Sequence, residues 1–355
     1  MKPKHFLLKA VIFFIAFYVQ ISYAQLPIIW QKSYGGSDID IAHSVIQTSD
    51  SGYIVIGDTW SDDGDARGSH GQGSIDILAL KLKPNGNIEW KKTLGGSGQD
   101  YSNSPSSVIQ TNDGSYIIAG TTLSNDGDVH GNHGNFVNSD MWVVKLKPNG
   151  DIEWQKSFGG KDIDMANSIV QTNDGGYIVT GSSKSNDRDV SGNHGQTDYW
   201  VIKLDNSGSK GHSPNIEWQK CLGGMNNDYA NSILQTKDGG YIMAGTTGSN
   251  DGDVSGNHGA EDVWVLKIDG TGKLLWQKTF GGSFRDVGND IALTLDGGFV
   301  VAGETSSSDG DVGGSRSSKD YWVIRMDASG NKVWSKALGS STEDVATALT
   351  TASDG

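Results

Sequence analysis

Six tryptophans, Trp30, Trp90, Trp154, Trp218, Trp276 and Trp334, recur at intervals of 60, 64, 64, 58 and 58 residues. Each stands in the same phrase, which around Trp154 reads Leu146-Lys-Pro-Asn-Gly-Asp-Ile-Glu-Trp-Gln-Lys-Ser-Phe-Gly-Gly160. A tandem repeat decides architecture early, because each copy must bury its apolar face against its neighbours. A residue present in every copy is therefore first of all one that the fold needs.

The copy from Asp164 to Gly224 reads as four strands. Met165 to Thr172 is followed by the turn Asn173-Asp174-Gly175-Gly176, which supplies positive φ at little cost. Tyr177 to Ser183 is β-branched and aromatic, and a long polar loop then leads to Tyr199 to Leu204 and Ile216 to Leu222. Fifty glycines against six prolines fit turn-rich β-structure. Four short strands in each unit of about 60 residues predict an all-β fold, a β-propeller with one unit per blade. The rival, a β-solenoid, uses much shorter repeats.

Ile28 to Tyr34 reads as a lone fourth strand, five units follow, and Asp344 to Thr351 reads as a lone first strand. Ser353-Asp354-Gly355 falls in the turn that elsewhere precedes a second strand. The expectation is about five and a half blades of a truncated ring of six or more, spanning residues 25–355.

Residues 1–24 read as a signal peptide. Lys2, Lys4 and Lys9 form a basic start, Ala10 to Ile21 is apolar, and Ser22-Tyr23-Ala24 suits cleavage. The segment is too short and wrongly flanked for a membrane anchor. Cleavage before Gln25 takes the net charge from −14 to about −17. Such acidity disfavours nucleic acid and anionic membranes. The chain is expected outside the cell or on its surface, reached through the periplasm, as a monomer without membrane insertion. Cys221 is the one cysteine, so no internal disulfide forms. Ser33, Thr93, Ser157, Thr279 and Ala337 hold its position in other copies, which predicts a small buried residue.

The tryptophan phrase resembles the docking repeats of pyrroloquinoline-quinone-type propellers, with Asp269-Gly-Thr-Gly272 to Trp276 as the nearest wording. That resemblance implies indoles packed between adjacent blades. One cysteine cannot make that family's vicinal pair, so no quinone cofactor is expected. The whole unit also resembles exported repeat proteins of Gram-negative bacteria that are often type IX secretion cargo, which implies export and says little about activity.

Strand direction alternates, so the second-to-third-strand loops and the inter-blade links share one face of the ring. There Asp251, Asp253, Ser255, Gly256 and Asp262 stand at positions 1, 3, 5, 6 and 12 of a loop. Asp187, Asp189, Ser191, Gly192 and Asp198 keep that register, as do Asp309, Asp311, Gly314 and Asp320. This is the ligand spacing of a calcium loop. Such side chains also cap turn amides; both readings stand. His70, His133, His194 and His258 lie in the same loops, a blade apart, and suit loop capping better than zinc.

Asp40, Asp100, Asp164, Asp228, Asp286 and Asp344 recur at one symmetric position. Catalysis by carboxylates needs an asymmetric pair with divergent pKa values, so these are expected to bond adjacent-blade backbone instead. No catalytic residue stands out. Trp60 breaks the symmetry, since Leu123, Lys184, Gly248 and Ser306 hold its place, and an indole there suits stacking on a sugar. The sequence favours a non-enzymatic propeller that binds glycan or a surface protein, with loops ordered by calcium. Its alternatives are a polysaccharide-active enzyme (or the accessory propeller of one) and a purely structural array.

Overall fold

The computed structural model describes residues 27–70, 73–102, 104–134, 137–313 and 319–351. The expected signal peptide, Asn135-Phe136, Gly314 and Ser353 to Gly355 lie outside them. The chain divides into Met1–Lys32 and Ser33–Gly355. The described residues 27–34 form no strand, so the one expected from Ile28 to Tyr34 is absent.

Within 33–355 the strands fall into five consecutive antiparallel sheets, 40–94, 100–158, 164–222, 228–280 and 286–338, here blades 1 to 5. Blade 3 contains Asp164–Gln171, Tyr177–Ser183, Asp198–Leu204 and Ile216–Leu222, hydrogen-bonded in chain order. The second and fourth match the strands read from the sequence. The first and third each begin one residue earlier, on an aspartate. In blade 2 the first strand is split into Asp100–Tyr101 and Val108–Gln110. Extra residues and Pro105, which has no amide hydrogen for a ladder, account for the break.

Apolar cores lie between blades. Ile178 packs in a cluster with Met243 and Trp264 of blade 4. Its neighbour Val179 packs in a cluster with Ile117 and Met141 of blade 2. Successive side chains of a strand point to opposite faces, so both faces of the sheet are buried. This is why the middle strands read as continuous apolar runs rather than alternating ones.

Fourth-strand indoles lock the outer part of each seam. Trp90 donates its Nε1 hydrogen to Pro148 O of blade 2 at 2.8 Å, and Trp154 donates to Gly208 O of blade 3 at 3.0 Å. Trp90, Trp154, Trp218 and Trp276 also pair with Tyr116, Tyr177, Tyr241 and Phe299 of the following blade, at centroid distances of 5.8 to 6.2 Å. Gly272 has φ of +82°, and a Cβ there would stand 3.0 Å from the Trp218 ring. Only glycine meets both demands. These four indoles dock between blades as the sequence implied. Trp334, on blade 5, is 48% exposed.

The first strands face a common cavity, to which blades 1 to 5 contribute Ile46, Ile109, Val170, Leu234 and Leu293. Across it, Ser106 Oγ of blade 2 lies 3.5 Å from Asp290 Oδ1 of blade 5. Sheets stacked along a line would hold these residues far apart. The blades therefore surround an axis, and the fold is a β-propeller.

No strand forms from Asp344 to Thr351, contrary to expectation. Residues 344–351 still follow the inner wall: Asp344 N donates to Lys319 O at 2.8 Å, Asn289 Nδ2 donates to Ala346 O at 2.8 Å, and Leu349 N donates to Asp290 Oδ2 at 2.9 Å. No ladder partner flanks this segment among the described residues, and a strand needs one.

Candidate functional site

Each first strand starts at its repeated aspartate, beside the links and long loops, and ends at a short turn, Asp-Gly in blades 2 to 5 and Asp50-Ser51-Gly52 in blade 1. The ring thus has a loop face and a short-turn face. On the loop face the repeated aspartates Asp100, Asp164, Asp228 and Asp286 are fully buried, and Asp40 and Asp344 are half-buried. Asp164 Oδ2 accepts from Gly160 N at 2.7 Å and Ser185 Oγ at 2.8 Å, while Oδ1 accepts from Ser183 Oγ. Its partners are thus backbone of the Gly-Gly link that closes the preceding repeat, as expected, and two hydroxyls of its own blade, Ser183 on the second strand and Ser185 just beyond it. Burial raises the Asp164 carboxyl to about 6, with Asp140 adding like-charge repulsion.

The Gly-Gly links follow from this crowding. A Cβ on Gly223 would lie 2.6 Å from Asp228 Oδ2 and 2.7 Å from Asp198 Oδ1. A Cβ on Gly224 would lie 2.3 Å from Asp251 Oδ1. Carboxylates from strand starts and loop converge on the link, and only bare backbone fits among them.

The acidic loops use their carboxylates on these links. Asp251 Oδ1 accepts from Met225 N at 2.9 Å and Asp253 Oδ2 from Gly223 N at 3.3 Å. Asp187 and Asp189 bind Lys161 N and Gly159 N at 2.9 and 3.3 Å, and Asp309 binds Ser283 N at 2.8 Å. Asp311 pairs with Lys332. Ser191 and Ser255 hydroxyls accept from Gln219 and Gln277 at 2.5 and 2.6 Å. Asp198, Asp262 and Asp320 are buried at the starts of third strands. Position 1 of each loop thus bonds the preceding link, as does position 3 in blades 3 and 4, while position 12 sits on the sheet. Among the described residues, no three or more His, Cys, Asp or Glu side chains gather as a metal cluster.

His194 and His258 close their loops, with Nδ1 at 2.7 Å from Asp198 Oδ2 and Asp262 Oδ2. His133 does the same with Asp140 at 2.8 Å. His70 spans Asp76 of its own blade and Asp128 of the next, at 3.0 and 3.5 Å. They cap loops and bridge blades, as expected. Cys221 is buried, and burial pushes its thiol well above the usual range. Trp60 is half-buried on blade 1, its backbone N bonded to Ile39 O at 3.0 Å.

The residues that sequence reasoning missed lie along the axis. Near the loop face a cavity of about 270 Å³ is bordered by Asn167, Asn231 and Asn289. Each donates Nδ2–H across the following seam, to Ala230 O of blade 4, Gly288 O of blade 5 and Ala346 O of the 344–351 segment, over 2.7 to 2.8 Å. Arg285 and Glu304 stand at its edge. Arg285 Nε lies 2.7 Å from Glu261 Oε2, and its Nη1 lies 2.6 Å from Glu304 Oε1, which Lys319 Nζ approaches at 3.4 Å. Deeper along the axis, a cavity of about 410 Å³ contains Asp290. The signal was present in the register. Ile39, Gln99, Ile163 and Asn227 align with Arg285; Ser44, Ser168 and Ser232 align with Asp290. Tryptophan and glycine regularity drew attention to what repeats, whereas these residues are informative because they do not.

No helix among the described residues is long and apolar enough to cross a membrane. No family model matches the chain. The regulatory protein FlaEY of Caulobacter vibrioides is 32% identical over 126 residues, which cover 32% of this chain and 13% of that protein. The chain thus spans a small part of that relative's length. Solved structures similar to it include a protein of unknown function from Bacteroides caccae, at TM-score 0.45, 10% identity, and 84% and 82% of the two chains. A protein of unknown function from Dyadobacter fermentans matches at TM-score 0.45, 13% identity, and the same coverage.

Proposed function

We propose that this propeller is an exported, non-enzymatic binding module that takes a glycan or a protein segment at the loop-face mouth of its axis. One observation carries the reading: Arg285, a cation that no other blade has at its register, borders with Glu304 a cavity walled by the carboxamides of blades 3, 4 and 5. Carboxamides and a guanidinium offer directed hydrogen bonds to hydroxyls or peptide groups. Export rests on the basic, apolar and small-residue pattern of residues 1–24. A glycan array and a surface-protein pull-down test the reading, with at least a tenfold loss of signal expected for Arg285→Ala. Full binding by a folded Arg285→Ala protein overturns it.

Calcium in the acidic loops belongs to this proposal, supported by the 1, 3, 5, 12 spacing of Asp251, Asp253, Ser255 and Asp262. Millimolar calcium would stabilise such a loop by roughly 0.5–1.5 kcal/mol. A melting temperature indifferent to EDTA removes it.

A second reading, a polysaccharide-active enzyme, draws on Asp290, an acid of blade 5 alone, and Glu304, whose register in blade 1 is held by Asp58. Both are already engaged, Asp290 by two backbone amides and two hydroxyls, Glu304 by Arg285 and Lys319. Release of reducing sugar from a polysaccharide panel, lost in Glu304→Gln, would favour the enzyme.

A further inference from the structure

The deeper axial cavity has a composition of its own. Ile46, Ile109, Val170, Leu234 and Leu293 give it an aliphatic wall, and Asp290 places a carboxylate in it with 7% exposure. That carboxylate accepts from Ser232 Oγ at 2.7 Å, Ser106 Oγ at 3.5 Å, Ile291 N at 3.0 Å and Leu349 N at 2.9 Å. All four donors are neutral. Among the described residues no lysine, arginine or histidine forms an ion pair with Asp290. A buried carboxylate without a counter-ion is costly, and burial pushes its pKa up.

The ring does not need this charge. At the seam between blades 3 and 4, Ser168 Oγ accepts from Ile233 N at 3.3 Å. Ile233 and Leu349 hold the same register, five residues after Asp228 and Asp344. A serine hydroxyl therefore makes the seam contact that Asp290 makes to Leu349. The negative charge is surplus to assembly.

We infer that the deeper axial cavity binds a primary alkylammonium group, its ammonium paired with Asp290 and its aliphatic stem laid against Ile46, Ile109, Val170, Leu234 and Leu293. An ammonium carries three hydrogen-bond donors, and Ser168 and Ser232, which also line the cavity, supply acceptors beside the carboxylate. This site is separate from the loop-face mouth and does not depend on the binding proposed there.

Calorimetric titration of the intact chain with n-butylammonium chloride and with n-butanol, its uncharged counterpart, tests the assignment. One-to-one binding of the cation, at least tenfold tighter than the alcohol, is expected. Asp290→Ser, which installs the residue that blades 1, 3 and 4 carry, should abolish the preference while the protein stays folded by circular dichroism. Equal affinity for cation and alcohol, or an undiminished preference in Asp290→Ser, overturns the proposal. Should that variant unfold, the cation-against-alcohol comparison in the unaltered protein decides alone. Nα-acetyl-lysine amide separates the sources: binding like butylammonium's assigns the ammonium to a protein's lysine, and exclusion assigns it to a free amine.

Discussion

Trp322 and Ser335 hold the register positions that Trp264 and Gln277 hold one blade earlier, and only the earlier pair is hydrogen-bonded. Trp264 donates its Nε1 hydrogen to Gln277 Oε1 at 2.9 Å, and Trp142 and Trp200 do likewise with Gln155 and Gln219. The Trp322 indole nitrogen is buried with no acceptor among the described residues. A buried unsatisfied donor costs about 1–3 kcal/mol. Ser335→Gln should therefore stabilise the protein by about 1 kcal/mol, and Gln277→Ser should destabilise it by about 1–3 kcal/mol, both read from urea midpoints.

Docked and undocked indoles should differ sharply. Trp154 is 5% exposed and hydrogen-bonded to the next blade, whereas Trp334 is 48% exposed. Trp154→Ala should cost about 3–5 kcal/mol, and Trp334→Ala less than about 1 kcal/mol. Similar losses in chemical denaturation would contradict the docking role.

Gly223→Ala tests the crowded link. The added methyl would meet two carboxylate oxygens at 2.6 and 2.7 Å, so a loss of about 1–3 kcal/mol is expected from overpacking. Gly239→Ala has no atom within 4 Å of its would-be Cβ, and only its φ of +85° opposes it. Thermal unfolding should rank Gly223→Ala as the more damaging, unless the link is looser than its geometry.

Stability should fall as pH rises from about 4 to above 6. The Asp164 carboxyl is raised to about 6 by burial, so between the unfolded value near 3.9 and 6 the folded state holds more protons. Its contribution is complete below the unfolded pKa and lost as pH climbs through the folded one. For a shift of about two units the swing is roughly 2–3 kcal/mol. Asp205 and Asp238, lowered to about 2, act oppositely and lose their contribution only as pH falls toward 2. Urea midpoints at pH 4.5 and 7.5 should differ less in Asp164→Asn than in the unaltered protein.

Trp60→Ala asks whether a ligand reaches from the axial mouth to the loop base of blade 1. A loss of glycan signal with unchanged stability would extend the site to that indole. Loss of stability without loss of signal would make it a packing residue.

The blades were legible because their chemistry is periodic. Tyr177–Ser183 and Ile216–Leu222 could be bounded to the residue, since β-branched runs end at glycines and loops there. The segments at 28–34 and 344–351 read as strands for the same local reasons. Strand status, however, depends on a ladder partner, which no stretch of single chain reveals. The axial residues were obscure for another reason: Arg285 and Asp290 become neighbours of the axis only when five sheets are turned around it. The Asp198 and Asp262 positions were read for their spacing to loop carboxylates, whereas their closest partners are His194 and His258, four residues upstream.

Because the four larger apolar cores are each shared by two sheets, an inner blade owns no interior. One unit excised from the chain would present two greasy walls to water and no compensating contact. Loss of structure should spread from seam to seam rather than stop at a blade boundary, and a cut within an exposed loop should leave the pieces held together. The smallest piece with a closed interior is a neighbouring pair, so gain or loss of whole units during evolution tests a seam before it tests a sheet.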